Sequence, residues 1–361
     1  MAIFILLIPL LILILLFITA FGKQARILTL ALIAVLIIGL GTVFLTRPAK
    51  KTFSGETMGT TYSVTLSTPN YRFLSAKTYN EFAGKLQSEL DRINSLMSTY
   101  DANSELSKLN KHNSTSPFPV SEETARIITQ ALEIAQKTGG VYDPTVGPLV
   151  NLWRFGPEDR PVQIPTDEEI AAAKNRLGWN KIKVENLNGQ FFVIKSQPDI
   201  YIDLSSIAKG YGVDCLAKLL KANQCKNFLI DIGGELRGEG KNPAGQYWSV
   251  GIRRPAPGGR LQKITRLENE SIATSGGYMN YYEVDGKRYS HIIDTKTGRP
   301  IEHKTASVSV IAQDCAWADG WATALLAAGE ERGIELAKEN KLNAAFIVNR
   351  DGQYIIEKVK P

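Results

Sequence analysis

The chain is poor in the residues that carry most metal and redox chemistry. Three cysteines, Cys215, Cys225 and Cys315, occur in 361 residues, and their spacing fits neither paired CxxC zinc ligation nor a thioredoxin-like motif. A Cys215–Cys225 bridge is conceivable in an oxidising compartment, but three buried or inert thiols account for the pattern as well. No cysteine closes an apolar N-terminal segment, so lipid attachment at a processed N-terminal cysteine is not expected. No GxGxxG follows a first strand and no GxxxxGK[ST] occurs, which removes two common nucleotide-binding folds. Internal repeats and low-complexity stretches are also missing. Residues 1 to 46 contain no Asp or Glu and two basic residues, Lys23 and Arg26. Taking those two from the chain's 42 basic residues leaves 40 against 36 acidic ones, a net of +4 over the remaining 315 positions. A charge that small argues against a nucleic-acid binder.

What is present divides the chain in two. Ile3 to Phe21 is broken only by Pro9 and Thr19, and Ile27 to Thr46 is nearly as apolar. Each reaches the roughly 20 residues that span a bilayer, so residues 1–46 are expected to form a transmembrane helical hairpin. The short link through Lys23 and Arg26 favours the cytoplasmic side, whereas Arg47, Lys50 and Lys51 pull the other way. A cleavable signal peptide is the competing reading, but its apolar region normally runs 7 to 15 residues. A polar linker is expected over 47–55 and a catalytic domain over 56–361.

The soluble part reads as α+β. Period-two alternation predicts a strand over 59–67, and apolar spacing predicts helices at 78–97, 122–137, 166–176 and 206–222. Ser121 and Thr166 stand as N-caps, with Gly139-Gly140 ending the second helix. Strands are expected at 181–186, 190–195, 200–203 and 227–232, and near 247–252, 271–274, 278–284, 287–293 and 306–312. Two last helices, 315–328 and 330–340, precede a final hairpin at Asp351-Gly352. Asn188-Gly189 and Asp285-Gly286 are hairpin signals, so the sheet should be largely antiparallel.

Five glycine-punctuated polar segments could carry chemistry. In TGGVYDPTVGPLV, residues 138–150, the glycines either end a helix or admit a ligand beside Tyr142 and Asp143. In DLSSIAKG, residues 203–210, a strand-to-helix junction would favour an anion near Lys209, though Ser205 or Ser206 serves equally as an N-cap. DIGGE, residues 231–235, lets backbone approach a ligand or simply turns. Residues 271–294 end on His291, either a satisfied structural histidine or a general base. Asp319 and Thr323, four apart in DCAWADGWAT, share a helix face and offer hard oxygen ligands for Mg²⁺, or else a cap and a back-bond.

Taken in order, MGTTYSV, STYDANSELSKLN, TGGVYDPTVGPLVNLWRFGP, DLSSIAKGYGVD, DIGGELRGEG, SIATSGGYMNYY, HIIDTKTGRP and ADGWATALL resemble the FAD:protein FMN transferases, the ApbE family. The resemblance runs from Met58 to Leu326 and leaves out the first 46 residues. It implies an ApbE-like, T-fold-like, largely antiparallel sheet with packed helices. It also implies a Mg²⁺-dependent transferase that splits FAD at its pyrophosphate, moves FMN to a threonine of an acceptor flavoprotein and releases AMP. By matching position, Met58, Tyr100, Val141, Tyr142, Asp143, Asp203, Lys209 and Ile293 would line the flavin nucleotide site. Ser206, through its backbone carbonyl, with Asp319 and Thr323 would hold the metal, and His291 would be the catalytic base. The implied acceptor is a subunit of a membrane redox complex of the Na⁺-translocating NADH:quinone reductase or Rnf type. The implied location is the bacterial inner membrane with the catalytic domain facing the periplasm. FAD hydrolysis to FMN and AMP, or a non-catalytic membrane flavin-binding or assembly protein, are the alternatives. Two positions depart from the family pattern: Thr295 stands where HIIDP has proline, which would loosen the turn after Asp294, and Gly320 interrupts ADA, which would weaken the helix start.

Overall fold

The computed structural model describes residues 23–46, 48–68, 75–158, 163–253, 255, 261–278 and 280–361. The first apolar segment, Ile3 to Phe21, lies outside the described residues. The second forms one helix, α1 (Lys23–Thr46, 24 residues). Among the residues whose side chains are described, no helix is long and apolar enough to cross a membrane.

An antiparallel sheet of eight strands organises the rest. Its strands are β1 (Ala49–Thr57), β2 (Thr60–Thr68), β3 (Phe228–Ile232), β4 (Glu235–Glu239), β5 (Ser271–Gly276), β6 (Thr305–Ala312), β7 (Asn343–Arg350) and β8 (Gln353–Val359). Each lies beside its neighbour in this order, and every pair is antiparallel. The helices that complete the fold are α2 (Ala76–Met97), α3 (Glu105–Lys111), α4 (Glu122–Lys137), α5 (Gly147–Leu152), α6 (Asp167–Asn175), α7 (Ala208–Ala222) and α8 (Cys315–Glu339).

Strand alternation assigns the two faces of the sheet. Phe228, Ile230 and Ile232 of β3 pack with Leu86 and Leu90 of α2 and with Val213, Leu216 and Leu220 of α7. Val308 and Val310 of β6 pack with Leu325 and Leu326 of α8. On the opposite face Leu229, Leu236, Ile272, Ile311 and Ile347 meet Val250, Ile252 and Leu267 from a two-stranded ribbon, Trp248–Arg253 with Leu261–Leu267.

Several expectations need correction. The segment read as a linker is the edge strand β1, paired with β2 from Ala49↔Thr68 to Thr57↔Thr60. Its burial is confined to Phe53, which stacks on Tyr79 at 4.6 Å, and to Thr57 at its end. Polar residues and lysines on an edge strand hide its periodicity while discouraging pairing with other chains. Residues 200–203 join no ladder. Ile202 is instead gripped by the Asn110 side chain, whose amide donates to the Ile202 carbonyl and accepts from its N–H at 2.8 Å each. By contrast, the two helices expected at the end, 315–328 and 330–340, are both present: within the run called α8 the backbone leaves the helical region at Gly329, where φ is 77° and ψ is −172°, and a second helix follows the kink. Ser121 and Thr166 do cap α4 and α6, Thr166 with a full capping box.

One contact sets the spacing of α7 and α8. A Cβ at Gly210 would lie 2.4 Å from the Cys315 carbonyl oxygen and 2.8 Å from the Ala316 Cα. Both are backbone atoms of α8, so no side-chain movement can relieve the clash. Gly210→Ala should therefore push the helices apart and lower stability by about 1–3 kcal/mol; an unchanged urea midpoint would show that the crossing is not tight.

Candidate active site

A cleft of about 1790 Å³ opens where the β1–β2 and β3–β4 turns meet the N-terminal parts of α7 and α8. Both turns are two-residue hairpins: Met58 and Gly59 sit at φ 49° and 70°, and Gly233 and Gly234 at φ 63° and 108°. All twelve residues expected to bind flavin, bind metal or act as base, Tyr100 and His291 included, line this one cleft.

The floor is charged and buried. Lys209 Nζ lies 2.8 Å from Glu235 Oε2, without the alignment of a good hydrogen bond. Burial works against the Lys209 charge, but the carboxylates of Asp319 and Glu235 outweigh it and hold its pKa above the ordinary lysine value. Burial raises both carboxylates, opposed by the Lys209 ammonium. Asp319 Oδ2 accepts from the Gly210 N–H at 2.9 Å. Two carboxylates thus face one ammonium, and a divalent cation beside them would offset the burial that raises both and favour their ionised forms.

Among the described residues no group of three or more His, Cys, Asp or Glu could hold a metal ion. The oxygens expected to hold Mg²⁺ are of another kind, the Asp319 carboxylate, the Thr323 hydroxyl, 2.9 Å from Ser275 Oγ, and Ser206, and all three residues line the cleft. A set made only of oxygens, with one carboxylate and room for substrate phosphates, suits Mg²⁺.

The start of α7 was expected to attract an anion through free amides. The Gly210 amide is taken by Asp319, and the Ala208 N–H donates to the Leu204 carbonyl at 2.9 Å. The anion at this helix start is the protein's own carboxylate, and Lys209 supplies the positive side chain. Ser206 Oγ donates to Tyr142 Oη at 2.9 Å, and burial raises the Tyr142 phenol, so it stays neutral.

Asp143 and Asp203 are engaged within the chain. Asp143 Oδ1 accepts from Thr145 N and Thr145 Oγ1 at 2.8 and 2.6 Å, and its Oδ2 accepts from Trp179 N at 3.1 Å. Asp203 Oδ1 accepts from Ser205 N at 2.8 Å, and its own N–H donates to the Pro144 carbonyl. These bonds shape the loops that carry Tyr142 and Ser206. Ile293 is 5% exposed and packs with Leu149, Trp153 and Ile170.

His291, the expected base, also lines the cleft. The Asn280 carbonyl lies 3.0 Å from His291 Nδ1. A carbonyl oxygen only accepts, so Nδ1 carries the proton and Nε2 is the basic nitrogen. Burial lowers the imidazole below its ordinary 6.5, the Asn280 carbonyl opposes this, and the Lys209 charge adds to the lowering. The ring sits edge-on to Phe155 at 6.1 Å. Tyr100, 69% exposed, donates from Oη to the Phe155 carbonyl at 3.2 Å and leaves its ring face at the mouth.

Comparison with known proteins agrees with this geometry. Residues 58–347 match the ApbE family. The FAD:protein FMN transferase of Salmonella typhimurium is 42% identical over 307 residues, covering 85% of this chain and 86% of the relative. That of Vibrio cholerae is 42% identical over 325 residues, covering 87% and 93%. The solved flavin transferase ApbE from Vibrio cholerae superposes with a TM-score of 0.78 at 40% identity, covering 86% of this chain and 97% of that one. The apo flavinyl transferase ApbE of Pseudomonas stutzeri gives 0.77 at 33% identity, with 87% and 95% covered.

The chain belongs to the ApbE family. Its two departures from the ApbE pattern are absorbed locally. Thr295 Oγ1 donates to the Gly140 carbonyl at 2.7 Å, and Asp294 Oδ1 and Oδ2 accept from Lys296 N and Thr297 Oγ1. The turn is tied without proline, contrary to the loosening expected. Gly320 is buried where a Cβ would meet Ile134 Cδ1 at 2.5 Å, so its small size serves the packing of α8 on α4. Sequence reasoning passed over Glu235 and Asn280. Glu235 was legible only as the acidic residue directly after Gly-Gly in DIGGE; Asn280 acts through its backbone and leaves no side-chain signal.

Asp143→Ala would orphan two buried amides and a hydroxyl, so it should cost roughly 3 kcal/mol of stability in urea unfolding. Full stability with lost FAD binding would instead make Asp143 a ligand contact.

Proposed function

We propose that the chain is an FAD:protein FMN transferase that transfers FMN from FAD to a threonine hydroxyl of an acceptor flavoprotein and releases AMP. The observation that carries this reading is the pairing of a cation-ready carboxylate floor with a neutral imidazole across one cleft. The ApbE membership and the names of the relatives support it.

Flat aromatic faces at Tyr100 and Tyr142 receive the rings of FAD. Lys209 neutralises phosphate charge, and Asp319, Thr323 and Ser206 would hold Mg²⁺, which would supply Lewis-acid charge neutralisation to the phosphates. His291 Nε2 takes the proton of the threonine hydroxyl, whose oxygen attacks the FMN phosphorus in line as the bond to AMP breaks. The lowered His291 pKa keeps the base neutral at physiological pH, so transfer should lose rate only as pH falls below about 6.5.

α1 and the apolar segment before it form a membrane anchor in this reading, with the catalytic domain on the periplasmic side of a bacterial inner membrane. The acceptor is a subunit of a membrane redox complex of the Na⁺-translocating NADH:quinone reductase or Rnf type. Anchoring confines enzyme and acceptor to one surface and raises their effective concentration.

Incubating the full chain with FAD, Mg²⁺ and such a subunit should add FMN to one threonine, read by mass spectrometry; free FMN and AMP beside an unmodified acceptor would point to hydrolysis instead. Asp319→Ala should reduce Mg²⁺-dependent turnover by at least 100-fold, on the order of one lost electrostatic contact, and normal turnover would remove the metal assignment. His291→Ala should keep FAD affinity within about twofold while transfer falls roughly 100- to 10,000-fold; unchanged transfer would require another base.

A further inference from the structure

Neither α7 nor α8 caps its own start. Ile207 has no side chain to do so, and Asp314, a residue type suited to the role, makes no capping bond. The amides are satisfied crosswise instead. Asp214, in the second turn of α7, accepts from Cys315 N through Oδ1 and from Ala316 N through Oδ2, each at 2.9 Å. Asp319, in the second turn of α8, accepts from Gly210 N. Each helix therefore lends a carboxylate to the N-terminus of the other, on either side of the Gly210 crossing. Arg237 braces the outer half of this exchange: its guanidinium lies 4.0 Å from Asp214 Oδ1 and donates to the Gln313 carbonyl just ahead of α8. Asp214 does not line the cleft; Asp319 does.

We infer that Asp214 is a positioning residue for the cation face formed by Asp319 and Thr323, an inference that rests on the Mg²⁺ reading above. The two exchanges have opposite consequences for the cleft. The bond from Gly210 aims the Asp319 carboxylate, but only while the first turn of α8 keeps its height against α7. Asp214 sets that height, because it holds two consecutive amides and so fixes both the advance and the rotation of the turn. Without it, Cys315 N and Ala316 N would be buried without partners. The first turn of α8 would then slide or unwind toward other acceptors. A shift of one residue moves a helix by about 1.5 Å and turns it by about 100°, enough to carry Asp319 away from Gly210 and Thr323 away from Ser275.

A capping role confined to stability would lower the unfolding midpoint and leave ion affinity alone, so the test separates the two. In the full chain, Mg²⁺ alone is titrated calorimetrically into wild type, Asp214→Ala, Asp214→Asn and Leu220→Ala, the last a buried truncation in α7 away from the crossing. Hydrogen exchange of the Gly210 amide is followed in the same proteins without metal. Asp214→Ala should weaken Mg²⁺ binding at least 10-fold and speed Gly210 exchange at least 10-fold. Asp214→Asn, which keeps one acceptor oxygen, should fall between and serves if the alanine variant does not fold. Leu220→Ala should change neither beyond twofold despite its loss of stability. Unaltered Mg²⁺ affinity in the Asp214 variants, or an equal loss in Leu220→Ala, would overturn the inference. Undiminished Mg²⁺ binding by Asp319→Ala would remove the cation reading itself, and the metal-free Gly210 exchange rate would still decide whether Asp214 holds Asp319 in place.

Discussion

At Gly210 the backbone of α7 lies against the Cys315 carbonyl with no space for a side chain, and the charged groups of the cleft floor take their places from that contact. Lys209 precedes the crossing on α7, Asp319 follows it on α8, and Glu235 rises from the β3–β4 turn to meet the lysine. A wider crossing would leave three buried ionisable groups without their partners, and buried charge is tolerated only when paired. The sheet beneath supplies the rigidity: β3, β5 and β6 present apolar faces to the helices, so neither helix can tilt without opening the core.

The wall opposite is built on different physics. Trp153, Tyr289, Tyr282 and Phe155 stack in succession at 5.6, 5.4 and 5.4 Å, and His291 completes the row against Phe155. The hairpin Tyr281–Val284 and Lys287–Ser290 thereby fixes the imidazole through ring contacts, while the Asn280 carbonyl fixes its tautomer. Floor and wall still act on one another, because the Lys209 charge discourages protonation of His291. The same ammonium that offsets the carboxylates also favours the neutral imidazole of His291.

The sequence made the α+β class, the antiparallel pairing and the main helices legible, since these rest on period, caps and two-residue turns. Two elements escaped for identifiable reasons. β1 is an edge strand with little buried besides Phe53, so it reads as polar linker. The 200–203 segment has the alternation of a strand but finds Asn110 in place of a neighbouring strand. In the cleft, glycine-flanked motifs located the lining residues, but motif position could not tell a ligand contact from a loop brace. Asp143 and Asp203 are spent largely on their own loops, as only hydrogen-bond partners reveal. The crosswise capping by Asp214 was likewise invisible, because residues 214 and 315 are brought together only by the fold.

β1 has a second consequence. It is ladder-bonded from Ala49 onward, and only Arg47 and Pro48 separate it from the end of α1 at Thr46. The nine residues of β1 span about 30 Å at 3.3 Å each, and the Met58 turn at the far end is a rim of the cleft. If α1 lay in a bilayer as proposed, that strand length would act as a ruler between the lipid and the cleft, and a partner would have to present its residue at a matching height.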